Sequence, residues 1–496
     1  MLRLHGNYPR DVVPPRSTYY DAGRFGRMFG NLPPFAPDTP AVRDALLEIG
    51  RTGGIMDAGD DLTVDPALLI TDPAHSGANP DNPRMTAGMT FLGQFIDHDI
   101  TFDPTSSLER QVDPEHVGNF RTPALELDSV YGPGPFVAPY LYDGRSGPGF
   151  RFLIEECGTP GRFDLARNAQ GTALVGDPRN DENLVLSQLH VAFLRFHNQA
   201  CDWVASELGV RGDGAVFAEA QRIVRWHYQW IVVHEFLTAT CGERVVADVL
   251  ERGRQFYAWR NEPFIPVEFS VAAFRYGHSQ IRPSYRANFG AGGGPPFFAL
   301  LFNPAATPGS PDPDDLRGGC RAPRRFVDWP TFFDSGDAQV RRNKRIDTTL
   351  SSVLFALPDS VVALPEPRAN PASLAQRNLL RHLTFALPSG QRVARAMRVP
   401  TLAPADLDDL QPHGLHDSTP LWFYVLREAQ VMERGLRLGP VGARIVAEVL
   451  IGLLEGDRES YLVQDPDWRP FLPTRSGADE GRGFEMVDLL TFAGAV

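Results

Sequence analysis

Along most of the chain, apolar residues recur at the three-to-four spacing of a helix, and only rarely in the alternation of a half-buried strand. The stretch 183–209 (NLVLSQLHVAFLRFHNQACDWVASELG) is apolar almost all round in its first half, which predicts a buried helix. Residues 216–238 (VFAEAQRIVRWHYQWIVVHEFLT) repeat the pattern. Shorter helices are expected at 41–50, 372–386, 419–433 and 440–455, the last opened by Pro440. Residues 1–85 are rich in Pro, Gly and Asp, and read as an arm wrapped around a core built by residues 86–496. Within that unit, residues 288–319 read as a long Gly, Pro and Asp loop, a length usually tied to function or motion. The expected fold is mostly α, one large domain with long irregular connections and few short strands.

Composition narrows the class. Of 496 residues, 43% are hydrophobic, enough for a globular core with a deep pocket. A net charge of −13 repels nucleic acid and anionic lipid, so neither is expected as a partner. The four cysteines (Cys157, Cys201, Cys241, Cys320) form no CxxC pair, which excludes a zinc knuckle and a dense disulfide frame. No apolar run approaches the roughly 18 residues of a membrane span, and the opening MLRLHGNYPRDVVPPRS lacks the apolar core of a Sec signal. The expected location is the cytoplasm, or outside the cell by a non-standard signal.

The chemistry concentrates in a few stretches. In FLGQFIDHDITFDP (91–104), Gln94, Asp97 and His98 stand at i, i+3 and i+4 and share one helical face. Asp99 points about 100° away, so one helix serves a pocket and a separate cation site. In FRTPALELDSVYGPG (120–134), an extended chain would put Thr122, Glu126 and Asp128 on one side, offering the hard oxygen donors that Ca²⁺ prefers. VGDPRNDENLVLSQLH (175–190) is turn chemistry leading into the buried helix, with Asn180 or Asp181 as N-cap and Arg179 and Glu182 at its mouth. In AFRYGHSQIRP (273–283), Gly277 lets a backbone or flat ligand come close to His278, and Arg275 stands three residues earlier. His190 and His197, and His227 and His234, each stand at i, i+7; without a third ligand they read as core hydrogen bonding and not as a hydrolase metal site.

Together GQFIDHD, TPALELDSVYG, DPRNDE, FRYGH and NLLRHLTFALP (378–388) resemble the animal-type haem peroxidases of the peroxidase–cyclooxygenase superfamily. The resemblance implies a haem b enzyme that reduces hydrogen peroxide through an oxoferryl intermediate while oxidising iodide, bromide, thiocyanate and phenols. His278 matches the proximal iron ligand, and Asn378 the side chain that accepts its Nδ1–H. His98 matches the distal acid–base group, Arg179 the distal arginine and Gln94 the amide that orders distal water or halide. Arg275 and Arg381 match the propionate partners, and Asp97 and Glu182 the carboxylates that form haem esters. Residue 183 is Asn where some members carry a sulfonium-forming methionine, so poor chloride oxidation is expected. For calcium, Asp99, Thr122, the Ala124 carbonyl, Glu126 and Asp128 match the ligand positions, with Glu126 and Asp128 replacing the usual aspartate and serine. Two alternatives stand beside this. A fatty-acid dioxygenase of the same superfamily would carry a tyrosine at the place of Arg275, and Tyr276 is one position off. An adhesion protein would use Arg211-Gly212-Asp213.

Overall fold

The structure is a computed structural model that describes residues 23–102, 111–143, 147, 149–259, 262–307, 309–358, 371–475 and 483–496. Residues 1–22 of the expected arm lie outside these. Helices hold 46% of the residues and strands 10%, the mostly α class that the pattern predicts.

The helices that position the site are α1 (Pro40–Ile49), α2 (Ala87–Ile100), α3 (Leu184–Ser206), α4 (Asp213–Ile231), α5 (Leu374–Thr384), α6 (Leu421–Met432) and α7 (Pro440–Gly456). Helix α3 lies along α4, and α2 packs against α3 and against a 3₁₀ helix, Ala273–Gln280, which α6 and α7 cover from behind. Helix α3 is buried over nearly all of its first three turns, as its apolar sequence demands. Its cap is not Asn180 or Asp181. Residues Pro178–Asp181 form a 3₁₀ turn of their own, capped by Asp177, whose Oδ1 accepts the Arg179 amide at 2.9 Å. The α-helix starts only after Glu182, where Asn183 Oδ1 accepts the Leu186 amide at 2.9 Å.

The expected single helix over 216–238 is interrupted. After Ile231 the chain makes a π-helical turn, Val232–Phe236, before one more α turn, Leu237–Cys241. The extra residue breaks the expected i, i+7 alignment of His227 and His234. His227 is buried and donates to the Ile223 carbonyl at 2.7 Å, whereas His234 is exposed and stacks on Trp230 at a 3.7 Å centroid separation.

Strands are short. Strand β1 (Gly23–Gly26) pairs antiparallel with β3 (Gly118–Asn119) and parallel with β4 (Ile265–Pro266). Strand β2 (Asp81–Thr86) leads into α2 and pairs with β7 (Arg342–Lys344). Strands β5 (Ser284–Asn288) and β6 (Phe297–Leu300) form a hairpin, so the stretch 288–319 is not one loop. Its later part folds onto the start of α3: the Leu184 amide donates to the Leu316 carbonyl at 2.7 Å, and the Gly318 amide to the Glu182 carbonyl at 2.8 Å. Gly318 sits so close that a Cβ there would lie 1.7 Å from the Asp181 carbonyl oxygen, which no side chain tolerates.

Buried carboxylates tie distant segments to this frame. Glu268 accepts the Met28 and Phe29 amides at 2.9 and 3.0 Å, Glu448 those of residues 255, 256 and 257, and Glu428 those of Val441 and Gly442 at the start of α7. Each carboxylate satisfies amide donors that an irregular segment would otherwise bury unpaired. Cys157, Cys201, Cys241 and Cys320 are free thiols.

Burial also pushes four structural histidines down, His190, His197 and His382 to about 4 and His227 to about 3. Their unfolded forms take a proton near pH 6.5 that the folded forms refuse, so stability falls as pH drops below 6.5 and the loss ends near pH 3–4. At roughly 1.4 kcal/mol per pH unit for each group, the urea midpoint is expected to fall steeply between pH 6.5 and 5. Melts at pH 7.5, 6.5 and 5.5 check this, and a flat midpoint down to pH 4.5 would contradict it.

Candidate active site

Helix α2 is buried all round except at Gly93, Gln94 and Asp97, which are half-buried. Glu182, Arg275, Gly277 and His278 are half-buried in the same way on elements that are otherwise closed. These positions border the space between α2, the mouth of α3 and the 3₁₀ helix. Gln94 is held at both ends, donating to Glu182 Oε2 at 3.1 Å and accepting from Asn183 Nδ2 at 3.3 Å. Asp97 accepts from Thr101 Oγ1 at 3.1 Å. Burial raises the Asp97 carboxyl above the ordinary range against the pull of Arg179 and Arg275, which shows that charges from both sides of the space reach it. Glu182 is pushed up to about 7, again mainly by burial.

His98 points from α2 into the turn before α3. Its Nδ1 lies 2.9 Å from Asn180 Oδ1, and Asn180 Nδ2 lies 2.9 Å from His190 Nδ1. Burial, reinforced by the Arg179 charge, lowers His98 to about 3, so its ring is neutral at ordinary pH. The turn that carries Asn180 is anchored by Asp177, which is fully buried and ion-paired with both Arg121 and Arg179 at 2.7 Å. Although burial alone would raise Asp177, the Arg179 and Arg121 guanidinium groups hold it well below the usual carboxylate range. Arg179 also donates to the carbonyls of His98 and Thr101, at 3.2 and 2.5 Å, and lies over the Phe102 ring. It clamps the end of α2 while its charge is felt at Asp97, His98 and Glu182.

On the opposite side, a Cβ added at Gly277 would meet nothing within 4 Å, so the backbone beside His278 faces open space. His278 Nδ1 lies 2.9 Å from Asn378 on α5, but it meets the amide nitrogen, Nδ2. The expected arrangement is reversed, because Arg275 Nη1 donates to Asn378 Oδ1 and claims the carbonyl for itself. Among the described residues, neither His98 Nε2 nor His278 Nε2 has a hydrogen-bond partner. Trp422 supports this side, its indole donating to the Arg275 carbonyl at 3.1 Å. Arg381 lies one turn after Asn378 on α5, and its charge joins burial in lowering Arg377 to about 10.

Asp99 turns away from His98, as helical geometry requires, and accepts the Leu127 amide at 3.1 Å. The segment it meets is not extended: Ala124 donates back to the Thr122 carbonyl, and Leu127 adopts a left-handed φ of 60° before a short helix, Asp128–Tyr131. Asp99, Glu126 and Asp128 are buried, and Oδ1 of Asp99 and of Asp128 accept no hydrogen bond among the described residues. Burial, together with the neighbouring Asp128, raises Asp99; burial raises Asp128 to about 7 although Arg121 stands 3.6 Å away. The donors suit calcium, but among the described residues no three His, Cys, Asp or Glu side chains converge as a closed metal shell. The Arg-Gly-Asp triplet is exposed, with Arg211 folded back on the Ala205 and Val210 carbonyls and Asp213 accepting the Gly149 amide at 3.2 Å.

Two histidines on packed elements, with Arg179, Asp97 and Glu182 on the side of the first, are the arrangement against which relatives can be judged. The model of the family described as animal haem peroxidase matches residues 150–295, which contain Arg179, Glu182 and His278. That part of the chain, under a third of its length, is similar to an animal haem peroxidase domain. The chain is 25% identical over 398 residues to peroxidasin of Drosophila melanogaster, covering 76% of this chain and 24% of that protein. To human thyroid peroxidase it is 26% identical over 401 residues, covering 76% and 38%. The chain thus spans well under half the length of these curated relatives. Its fold is similar to that of peroxidase A of Dictyostelium discoideum, which superposes with a TM-score of 0.55 at 16% identity, covering 89% of this chain and 88% of that one. Fatty acid alpha-dioxygenase of Oryza sativa gives 0.54 at 15% identity, covering 81% and 74%. Among the described residues no helix of this peroxidase relative is long and apolar enough to cross a membrane.

Sequence reasoning missed Asp177, Arg121 and His190 as parts of this site. Asp177 was visible as turn chemistry, and His190 as a polar residue on the apolar start of α3; nothing marked Arg121. A direct consequence concerns Glu182. With a folded value of about 7 against an ordinary 4.5, its protonated form favours folding at low pH, and that contribution is lost as pH rises through 7. Replacing it by Gln removes this loss, so the haem-free Glu182→Gln variant should lose less melting temperature between pH 5.5 and 8.5 than the parent. An unchanged difference between the two pH values would mean that Glu182 is ionised throughout.

Proposed function

We propose that this protein binds haem b in the space bordered by Gln94, Asp97, Glu182, Gly277 and His278, and reduces hydrogen peroxide at the expense of small donors. The observation that carries the reading is the pair of neutral histidines, His98 and His278, each engaged at Nδ1 and without a protein partner at Nε2 among the described residues. The open space beside Gly277 and the partly accessible carboxyls of Asp97 and Glu182 suit a flat group with reactive methyl edges. His278 would hold the iron, and Arg275 and Arg381 would pair with two propionates. When bound, the haem supplies the two-electron reduction of peroxide and the oxidising power passed to donors.

The protein's own part is proton handling and placement. His98 offers a bare Nε2 that takes the proton of peroxide and returns it to the departing oxygen. Arg179 adds fixed positive charge, and Gln94, held by Glu182 and Asn183, presents an amide edge for water or halide. Iron ligation through His278 Nε2 would require the proton on Nδ1, so Asn378 would turn its amide and Arg275 Nη1 would exchange the Asn378 carbonyl for another acceptor. Asp97 and Glu182 would form the ester links, and Asn183 offers no thioether. The donor range is therefore iodide, bromide, thiocyanate and phenols. The dioxygenase reading has less support, because Tyr276 is tied to Thr240 Oγ1 at 3.0 Å and Arg275 occupies the position it would need.

Haem-loaded protein treated briefly with peroxide should keep its haem through extraction with acidified organic solvent, and the Asp97→Asn, Glu182→Gln double variant should release it. His278→Ala should bind little haem and lose iodide turnover by more than about 10²-fold. Stoichiometric failure of the parent to bind haem would overturn the assignment, and sustained hypochlorite formation at neutral pH would overturn the donor range.

Calcium is proposed at Asp99, Thr122, the Ala124 carbonyl, Glu126 and Asp128. Its binding would relieve the mutual repulsion of Asp99 and Asp128 and recruit their idle oxygens. The melting temperature is expected to rise by several degrees with millimolar Ca²⁺ over EDTA, and not in Asp99→Asn. Equal melting in calcium and EDTA would remove the site.

A further inference from the structure

We infer that Asn180 and His190 are positioning residues that decide which ring nitrogen of His98 faces the pocket bare. This rests on the reading of His98 as the proton-handling group. A carbonyl oxygen accepts only and an amide nitrogen donates only, so one asparagine between two imidazoles fixes a direction. Asn180 Oδ1 stands 2.9 Å from His98 Nδ1, which must carry the hydrogen, leaving Nε2 with its lone pair. Asn180 Nδ2 stands 2.9 Å from His190 Nδ1, which must be bare, placing the hydrogen of that ring on Nε2. The two rings therefore hold opposite tautomers through a single amide.

Turning that amide over would exchange both tautomers at once. His98 would then present an N–H to the pocket and could not accept a proton there. The backbone that carries the amide is held in place by its surroundings. Asn180 is fully buried, and its own backbone amide donates to the Asp177 carbonyl at 3.0 Å. Asp177 is locked by Arg121 and Arg179, and Gly318 packs against the next peptide of the turn. His190, likewise buried, stands edge-on to Phe95 at 6.3 Å between centroids, so α2 and α3 enclose the ring from both sides. None of these contacts is needed merely to fill space; an apolar side chain at 180 or 190 would do that.

The inference separates variants that a structural role would treat alike. Asn180→Asp keeps an acceptor at His98 but loses the donor to His190. It should therefore leave His98 in its Nδ1–H form and invert His190. Asn180→Leu removes both partners and should let His98 shift toward the Nε2–H form. His190→Gln retains an acceptor for Asn180 Nδ2 and should behave as the parent, whereas His190→Leu should not.

The measurement is two-bond ¹⁵N–¹H correlation on the full chain with ¹⁵N-labelled histidine, which reports the protonated ring nitrogen directly. It is joined to the second-order rate with peroxide for the haem-loaded protein. The expected result is an Nδ1–H His98 in the parent, Asn180→Asp and His190→Gln. A mixed or Nε2–H His98 is expected in Asn180→Leu and His190→Leu, with the peroxide rate down by about 10²-fold and the donor KM unchanged. His98 remaining wholly Nδ1–H in Asn180→Leu overturns the inference. If that variant does not fold, an uninverted His190 in Asn180→Asp overturns it instead. A parent that shows the expected tautomers but no reaction with peroxide overturns the reading of His98 as an acid–base group, and so this role, while leaving the tautomer lock itself standing.

Discussion

The carboxylate of Asp177 is the point on which the site depends. It is buried, and a lone buried carboxylate is costly enough that it would neutralise or drag the chain toward water. Two guanidinium groups prevent that, and each belongs to a different part of the structure. Arg121 opens the segment that faces Asp99, and Arg179 reaches over to close the end of α2. The short turn between Asp177 and α3 then carries Asn180, Glu182 and Asn183 in a fixed order, two toward α2 side chains directly and one as the helix cap. Removing one arginine would leave the other charge pair strained and release three neighbouring segments together.

The same device recurs at lower stakes across the molecule. Glu268, Glu428 and Glu448 each gather amides from a segment remote in sequence. In a fold with so many irregular connections, the orphaned backbone donors must be satisfied somewhere, and sheets here are too short to do it. A carboxylate with two oxygens accepts two or three such donors at once. The frame is thus helical, but much of what fastens the connections to it is acid to amide.

Much of this was legible in the sequence. Helical periodicity gave the places of α1 and α3 to α7 within a few residues, because an apolar face is a local property of the chain. His98 and Asp99 turn to different partners, Asn180 and Leu127, as their spacing on α2 demands. What was not legible depends on partners far along the chain. The cap of α3 moved to Asn183 because Asp177 captured the preceding turn. The π turn after Ile231 has no local signature. The strand inside 288–319 exists only because β5 lies beside it, and Asn378 faces His278 the unexpected way round because Arg275 reaches its carbonyl first.

Helix α2 bears His98 and Asp99 as consecutive residues, one turned to Asn180 and the other to Leu127. No loop separates them, so there is no slack. A rotation of this helix about its axis that improves one contact must spoil the other, and a shift along the axis displaces both. The two sites behave as opposite ends of a single lever. An occupant settling against Asp99 would act on the contact between His98 and Asn180 through that rotation alone, with no loop to absorb it.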